Sequence, residues 1–153
     1  MNYRKPRHRK VLSFDIGHRR IGMAYCDSLH ITVTHLPAIK RIKDFEEINF
    51  IKEIISLHNI QGLIFGLPLD QKGRMTKQAE DCKFYGEYIS KELNMPYTFV
   101  NEHSSTWESI SKYEIVKDKT GLVDSLSAKI ILEQWIKEGP ELNEFTFKKQ
   151  IKY

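Results

Sequence analysis

The sequence predicts an α/β domain: a mixed sheet formed by a three-strand meander and then β-α units, with helices on both faces. Three observations carry this expectation. Three β-prone apolar segments follow one another before residue 40 with no helical stripe between them. Beyond residue 40, helical and strand patterns alternate, which is the signature of β-α units. The 153 residues are enough for one domain with a substantial core.

The elements follow in order. Val11 to Gly17 is β-prone and ends at glycine, so it reads as a strand. Ile21 to Cys26 is a second strand, and the short GHRR connection makes the pair a hairpin. Ile31 to Lys40 holds a third, less regular strand, where Pro37 argues for an edge or a bulge. Asp44 then opens a helix, with Asp44 and Glu47 at capping-box spacing. Phe45, Ile48, Ile51, Ile54 and Ile55 form its apolar stripe. GLIFGLP, Gly62 to Pro68, is a short buried strand, and LDQKGRMTKQ after it reads as a mobile loop. A second helix carries Ala79, Cys82, Tyr85, Ile89 and Leu93 on one face. PYTFV is the next strand and runs into Asn101, Glu102 and His103. Ser105 and Glu108 have capping-box spacing for a short helix. The last helix runs from Val123 to Lys137 and is stopped by Gly139 and Pro140.

Around this domain, residues 11–138, the sequence leaves a basic flexible arm at 1–10 and a tail at 139–153 with Lys148, Lys149 and Lys152. Apolar residues make up 41% and charged residues 29%, ordinary for a globular chain. The net charge of +4 makes a polyanionic partner plausible without requiring one, and simple solubility accounts for it as well. Cys26 and Cys82 show neither disulfide nor zinc spacing and read as small core residues. No apolar run approaches the roughly 18 residues of a membrane span, and no signal core follows the basic start, so a cytoplasmic protein with no membrane partner is expected.

Three acids stand at element ends. Asp15 sits late in an apolar strand, where an unpaired carboxylate costs several kcal/mol or stays protonated. Glu102 follows the strand PYTFV directly. Asp124 opens the last helix on the stripe of Ala128, Ile131 and Trp135, its apolar face. In sheets of this kind, sites form at the carboxyl ends of the strands. Brought together, the three carboxylates would repel, and a divalent cation would reverse that. Oxygen ligands without a Cys/His cluster point to Mg²⁺ or Mn²⁺. Paired ions of this kind cleave phosphodiesters. Each acid also has a plainer reading: a turn acid for Asp15, a solvated loop residue for Glu102, a helix-dipole residue for Asp124.

Four segments, FDIGHRRIGMA, IFGLPLDQKG with Gln78-Ala79 downstream, NEHSSTWES and VDSLSAKIILEQW, occur in the order and spacing of the YqgF family, which the chain resembles from about Val11 to Ile136. Members of that family are Holliday-junction-resolvase-like and are assigned as candidate pre-16S rRNA nucleases. The resemblance implies a ribonuclease H-like fold and a metal-dependent nuclease with acids at Asp15, Glu102 and Asp124. Two departures stand out. The family commonly has Asp-Glu-Arg where this chain has Asn101-Glu102-His103, and commonly Thr where it has His18. His103 is a candidate phosphate contact or proton carrier near neutral pH.

Arg19 and Arg20, beside Asp15 in sequence, are the leading candidates to hold phosphates, and Arg74 in the loop is another. Arg4, Lys5, Arg7, Arg9 and Lys10 either join them or form a solvated arm. Tyr85, Phe99 and Trp135 read as core, and Trp107 and Tyr113 as core or rim packing, with stacking on an unpaired base as the alternative. The leading expectation is a Mg²⁺- or Mn²⁺-dependent endonuclease on structured nucleic acid. The resemblance makes the 5′ end of precursor 16S rRNA the substrate, with branched DNA or ribosomal particles as other partners. The alternatives are a non-catalytic binding or ribosome-assembly module, and a Holliday junction resolvase. An actin-like ATPase, suggested by Asp15-x-Gly17 and Gly22, ranks low because the chain is too short for a two-lobed cleft. Oligomeric state is left open.

Overall fold

The computed structural model describes residues 9–102, 122–140 and 142, with the side chains of 122–125 excepted. Strands β1 (Val11–Ile16), β2 (Arg20–Cys26) and β3 (Val33–Lys40) form the meander. They are followed by α1 (Glu47–His58), β4 (Gly62–Pro68), α2 (Lys77–Leu93), β5 (Tyr97–Glu102) and α3 (Leu122–Glu138). The sheet order is β3-β2-β1-β4-β5. β1 pairs antiparallel with β2 and parallel with β4, and β4 pairs parallel with β5, so β1, β4 and β5 end on one side of the sheet. The mixed meander-plus-β-α sheet is therefore the one expected. β3 is an edge strand, as Pro37 requires, and its register against β2 shifts between Ile21 and Met23.

Side-chain alternation splits the core in two. Leu12, Phe14, Ile16, Met23, Leu63 and Phe65 face α1 and α2, with Phe14 and Phe65 stacked at 4.8 Å. Val11, Ala24, Cys26, Ile64 and Val100 face α3, packing on Ala128, Ile131, Leu132 and Trp135. Helices thus cover both faces. Tyr85, Trp135 and both cysteines are buried, and Phe99 packs partly buried against the first cluster, as the sequence implied. Burial pushes the thiol of Cys26 up to about 11. Among the described residues, no helix is long and apolar enough to cross a membrane.

Three local expectations are changed. Asp44 does not open a capped helix: it lies in a 3₁₀ turn, Lys43–Phe45, with a left-handed φ of 61°. The helix starts at Glu47, whose side chain turns inward and accepts from the Ile42 backbone N–H (2.9 Å) and the Tyr85 hydroxyl (2.6 Å). Buried tertiary partners outcompete the local cap, because a carboxylate at 2% exposure needs strong donors. The stretch after β4 is an ordered turn. Asp70 accepts from the N–H groups of Arg74 (2.8 Å) and Lys72 (2.9 Å), which, the Arg74 bond most of all, hold its carboxyl below the usual range. Thr76 then caps α2 by accepting from Ala79 N–H at 3.0 Å. Finally, Leu142, within the expected tail, is buried against Gly62. The short helix expected at Ser105–Glu108, Trp107, Tyr113, Arg4, Lys5, Arg7 and the three tail lysines lie outside the described residues.

Candidate active site

The common end of β1, β4 and β5 carries the acids. Asp15 is half-buried, the fifth of six residues in β1. Glu102 is the last residue of β5 and only 4% exposed. Alternation puts Asp15 with Val11, and Glu102 with Val100, so both lie on the α3 face. β4 runs between them. Its Gly66 follows Phe65, the partner of Phe14, and so stands level with Asp15. The Glu102 side chain lies over Gly66: a Cβ built on that glycine would come 2.7 Å from Glu102 Oε2.

The electrostatics agree with this placement. Burial, and then the charge of Asp15, push the Glu102 carboxyl from an ordinary 4.5 up to about 8. Neither oxygen of that carboxyl has a hydrogen-bond partner among the described residues. On the opposite face, Cys82 Sγ donates to the Ile16 carbonyl at 3.6 Å. Its thiol is pushed up to about 12 by burial, then by the charges of Asp15, Glu102 and Asp81. Carboxyl groups are thus concentrated at the ends of β1 and β5, close enough for each to resist the other's ionisation.

Asp124 is the third residue of α3, and its side chain is outside the described residues. The helix backbone is anchored nearby. Ser13 Oγ donates to the Ala128 carbonyl at 2.7 Å, with the Ala24 carbonyl at 3.2 Å. Ala128 is one helical turn after Asp124, a rise of about 6 Å, and Ser13 is two residues before Asp15 on the same strand face. No group of three His, Cys, Asp or Glu side chains converges among the described residues, a set that excludes Asp124.

The basic candidates scatter. Arg19 is exposed and Arg20 half-buried, both at the β1–β2 turn immediately beyond Asp15. Arg74 is largely exposed and ion-paired with Asp70 at 2.9 Å. His103 lies outside the described residues. Asn101 is exposed, and strand alternation turns it to the face opposite Glu102. Its backbone carbonyl accepts from Gln134 Nε2 at 2.9 Å, which ties β5 to α3.

Two features escaped the sequence reading. One is Gly66; an isolated glycine inside a strand is the signal for a close approach. The other is Arg41. Its Nη1 donates to the Gly17 carbonyl (2.9 Å) and to Asp81 Oδ2 (3.0 Å), its backbone N–H donates to the Arg19 carbonyl (2.8 Å), and its guanidinium lies 4.7 Å from the Tyr85 ring centre. No local pattern signals that role, because every partner is distant in sequence.

Residues 9–138 match the RuvX family, described as Holliday junction resolvase. A protein of Prochlorococcus marinus subsp. pastoris (strain CCMP1986 / NIES-2087 / MED4), named "Putative pre-16S rRNA nuclease", is 61% identical over 151 residues, covering 99% of this chain and 100% of that one. A protein of the same name from P. marinus strain MIT 9313 is 43% identical over 143 residues, covering 93% and 88%. Among solved structures, T. thermophilus RuvC in complex with a Holliday junction substrate superposes with a TM-score of 0.52 at 12% identity, covering 88% of this chain and 99% of that one. That likeness shows a shared resolvase-type, ribonuclease H-like fold.

Proposed function

We propose, from the premise that the chain belongs to the RuvX family, that it is a divalent-metal-dependent endonuclease hydrolysing phosphodiester bonds in structured nucleic acid. The names of its relatives favour precursor 16S rRNA as the substrate, and processing at its 5′ end is part of this proposal. Branched DNA is the second candidate, because the family is described by that activity. Two buried, unpaired cysteines suit a reducing cytoplasm.

One observation carries the reading: the Glu102 carboxylate is buried beside Asp15 with no hydrogen-bond partner among the described residues. A carboxylate in that position is costly as a lone charge and well suited to a hard cation, which accepts oxygen donors and favours their charged forms. The donor set therefore fits Mg²⁺ or Mn²⁺, held by Asp15 and Glu102, with Asp124 as the third proposed ligand. Bound there, the ion supplies Lewis-acid activation of water and stabilisation of the leaving oxygen.

The protein's own residues do the rest. Burial of Glu102 and the packing of α3 keep bulk water from its oxygens, which strengthens charge interactions there. Arg19 and Arg20, presented just past Asp15, meet backbone phosphates and align the strand to be cut. His103 and Arg74 are proposed as outer contacts of the same kind.

The test is cleavage of a structured precursor rRNA fragment and of a four-way DNA junction, with Mg²⁺ or Mn²⁺. Wild type is expected to cut, and Asp15→Asn to lose activity by at least about 100-fold, as removal of a transition-state charge contact does. The variant should keep its fold and most of its binding. Metal-dependent cleavage by Asp15→Asn at the wild-type rate would defeat the proposal. Which substrate is cut decides between RNA and DNA.

A further inference from the structure

Gly66 stands inside β4, where glycine weakens a strand relative to alanine. Its φ is not in the left-handed region, so the backbone alone does not require glycine there. The space above it does. An added Cβ would lie 2.7 Å from Glu102 Oε2, 3.1 Å from Glu102 Cδ and 2.5 Å from Ile131 Cδ1 of α3. Gly86 of α2 gives a useful contrast, since a Cβ there meets the Phe65 and Phe99 rings at 2.9 Å, an apolar packing contact. At Gly66 the neighbours are one carboxylate and one methyl group.

We propose that Gly66 is a positioning residue: its missing side chain opens the notch in which the Glu102 carboxylate lies across β4 beside Asp15. The inference rests on the two-carboxylate site proposed above. Three points support it. Gly66 is level with Asp15 on β1 and pairs with Val100, two residues before Glu102 on β5. All three positions share the α3 face. Both groups that a methyl would strike are the far ends of flexible side chains, so they would swing aside while the sheet stays intact. The damage would therefore fall on the placement of the carboxylate and spare the fold.

The experiment is calorimetric titration of the full chain with Mn²⁺, alongside thermal melting. It compares wild type, Asp15→Asn, Ile131→Val, Gly66→Ala and the double variant Gly66→Ala/Ile131→Val. Valine at 131 removes the Cδ1 methyl, so in the double variant the clash with Glu102 is the one that remains. The double variant should melt close to Ile131→Val and bind Mn²⁺ at least about 10-fold more weakly, the range for losing a group that orients a metal ligand. Mn²⁺ affinity equal to that of Ile131→Val overturns the positioning role. Collapse of the double variant's melting transition overturns it too, since Gly66 would then be a packing residue. If Asp15→Asn loses Mn²⁺ and the Gly66 variants keep it, the positioning role alone falls. If wild type binds Mn²⁺ no better than Asp15→Asn, the carboxylate site itself falls and this inference with it.

Discussion

Glu102 combines two effects of the same sign. Burial disfavours its charged form most, and the charge of Asp15 adds to that, so the carboxyl rises from 4.5 to about 8. Between those values the folded protein keeps a proton that the unfolded chain has lost. The Glu102 contribution to metal-free stability is therefore fully present below about pH 4.5, falls as pH rises, and is lost above about 8. The total loss is on the order of a few kcal/mol. Glu102→Gln should remove most of that slope. Urea unfolding between pH 4 and 9 in chelator is the measurement, and a wild-type profile as flat as the variant's would contradict it. Asp15, half-buried at the strand end, is the source of the second effect and the neighbour whose charge a bound cation would offset.

The β1–β2 connection shows how one element is held for use. Gly17 N–H donates to the Arg20 carbonyl at 2.9 Å, and a Cβ at Gly17 would come 2.8 Å from that oxygen, so the turn admits only glycine there without moving. Beneath it, Arg41 binds the carbonyls of both Gly17 and Arg19, with Asp81 of α2 as its ionic partner. The turn presenting Arg19 and Arg20 is thus fixed to α2 from below. Arg41→Ala should lower stability by about 1–3 kcal/mol, since it strips a donor from the Gly17 carbonyl and the partner from Asp81. It should also weaken nucleic-acid binding severalfold while leaving Mn²⁺ affinity unchanged. Fluorescence anisotropy with a labelled RNA, beside calorimetry, reads both; unchanged RNA affinity would show that the turn does not present phosphate contacts.

Across the molecule, the sheet order brings the ends of β1, β4 and β5 to one side, and α3 crosses the face on which both described acids lie. The charge of the chain, +4, is modest, so affinity for a polyanion depends on where the basic groups sit. If Arg19, Arg20 and their neighbours neutralise phosphates, the logarithm of the binding constant falls linearly with the logarithm of salt concentration. The same slope is expected for Asp15→Asn, whose defect lies in chemistry. Binding that ignores salt between 50 and 200 mM would remove phosphate contact as the basis of recognition.

The sequence by itself determined the order of the described elements, the two-faced core and the strand ends that carry Asp15 and Glu102. Those follow from periodicity and from a carboxylate set in an apolar strand, as at Asp15, and such patterns are local. The four motif segments added the family, which the match over residues 9–138 bears out. Local spacing failed where a distant partner offered more: Glu47 left the expected cap for the Tyr85 hydroxyl. The Asp70 turn is local, its carboxylate accepting from the N–H groups of Arg74 and Lys72, and loop composition alone did not signal it. Only the tertiary structure decided that Glu102 lies over Gly66 and that Arg41 underpins the β1–β2 turn. Both depend on strands and helices that meet across dozens of residues of chain. Packing and charge act through space, and one strand's sequence carries no record of what its neighbour will place above it.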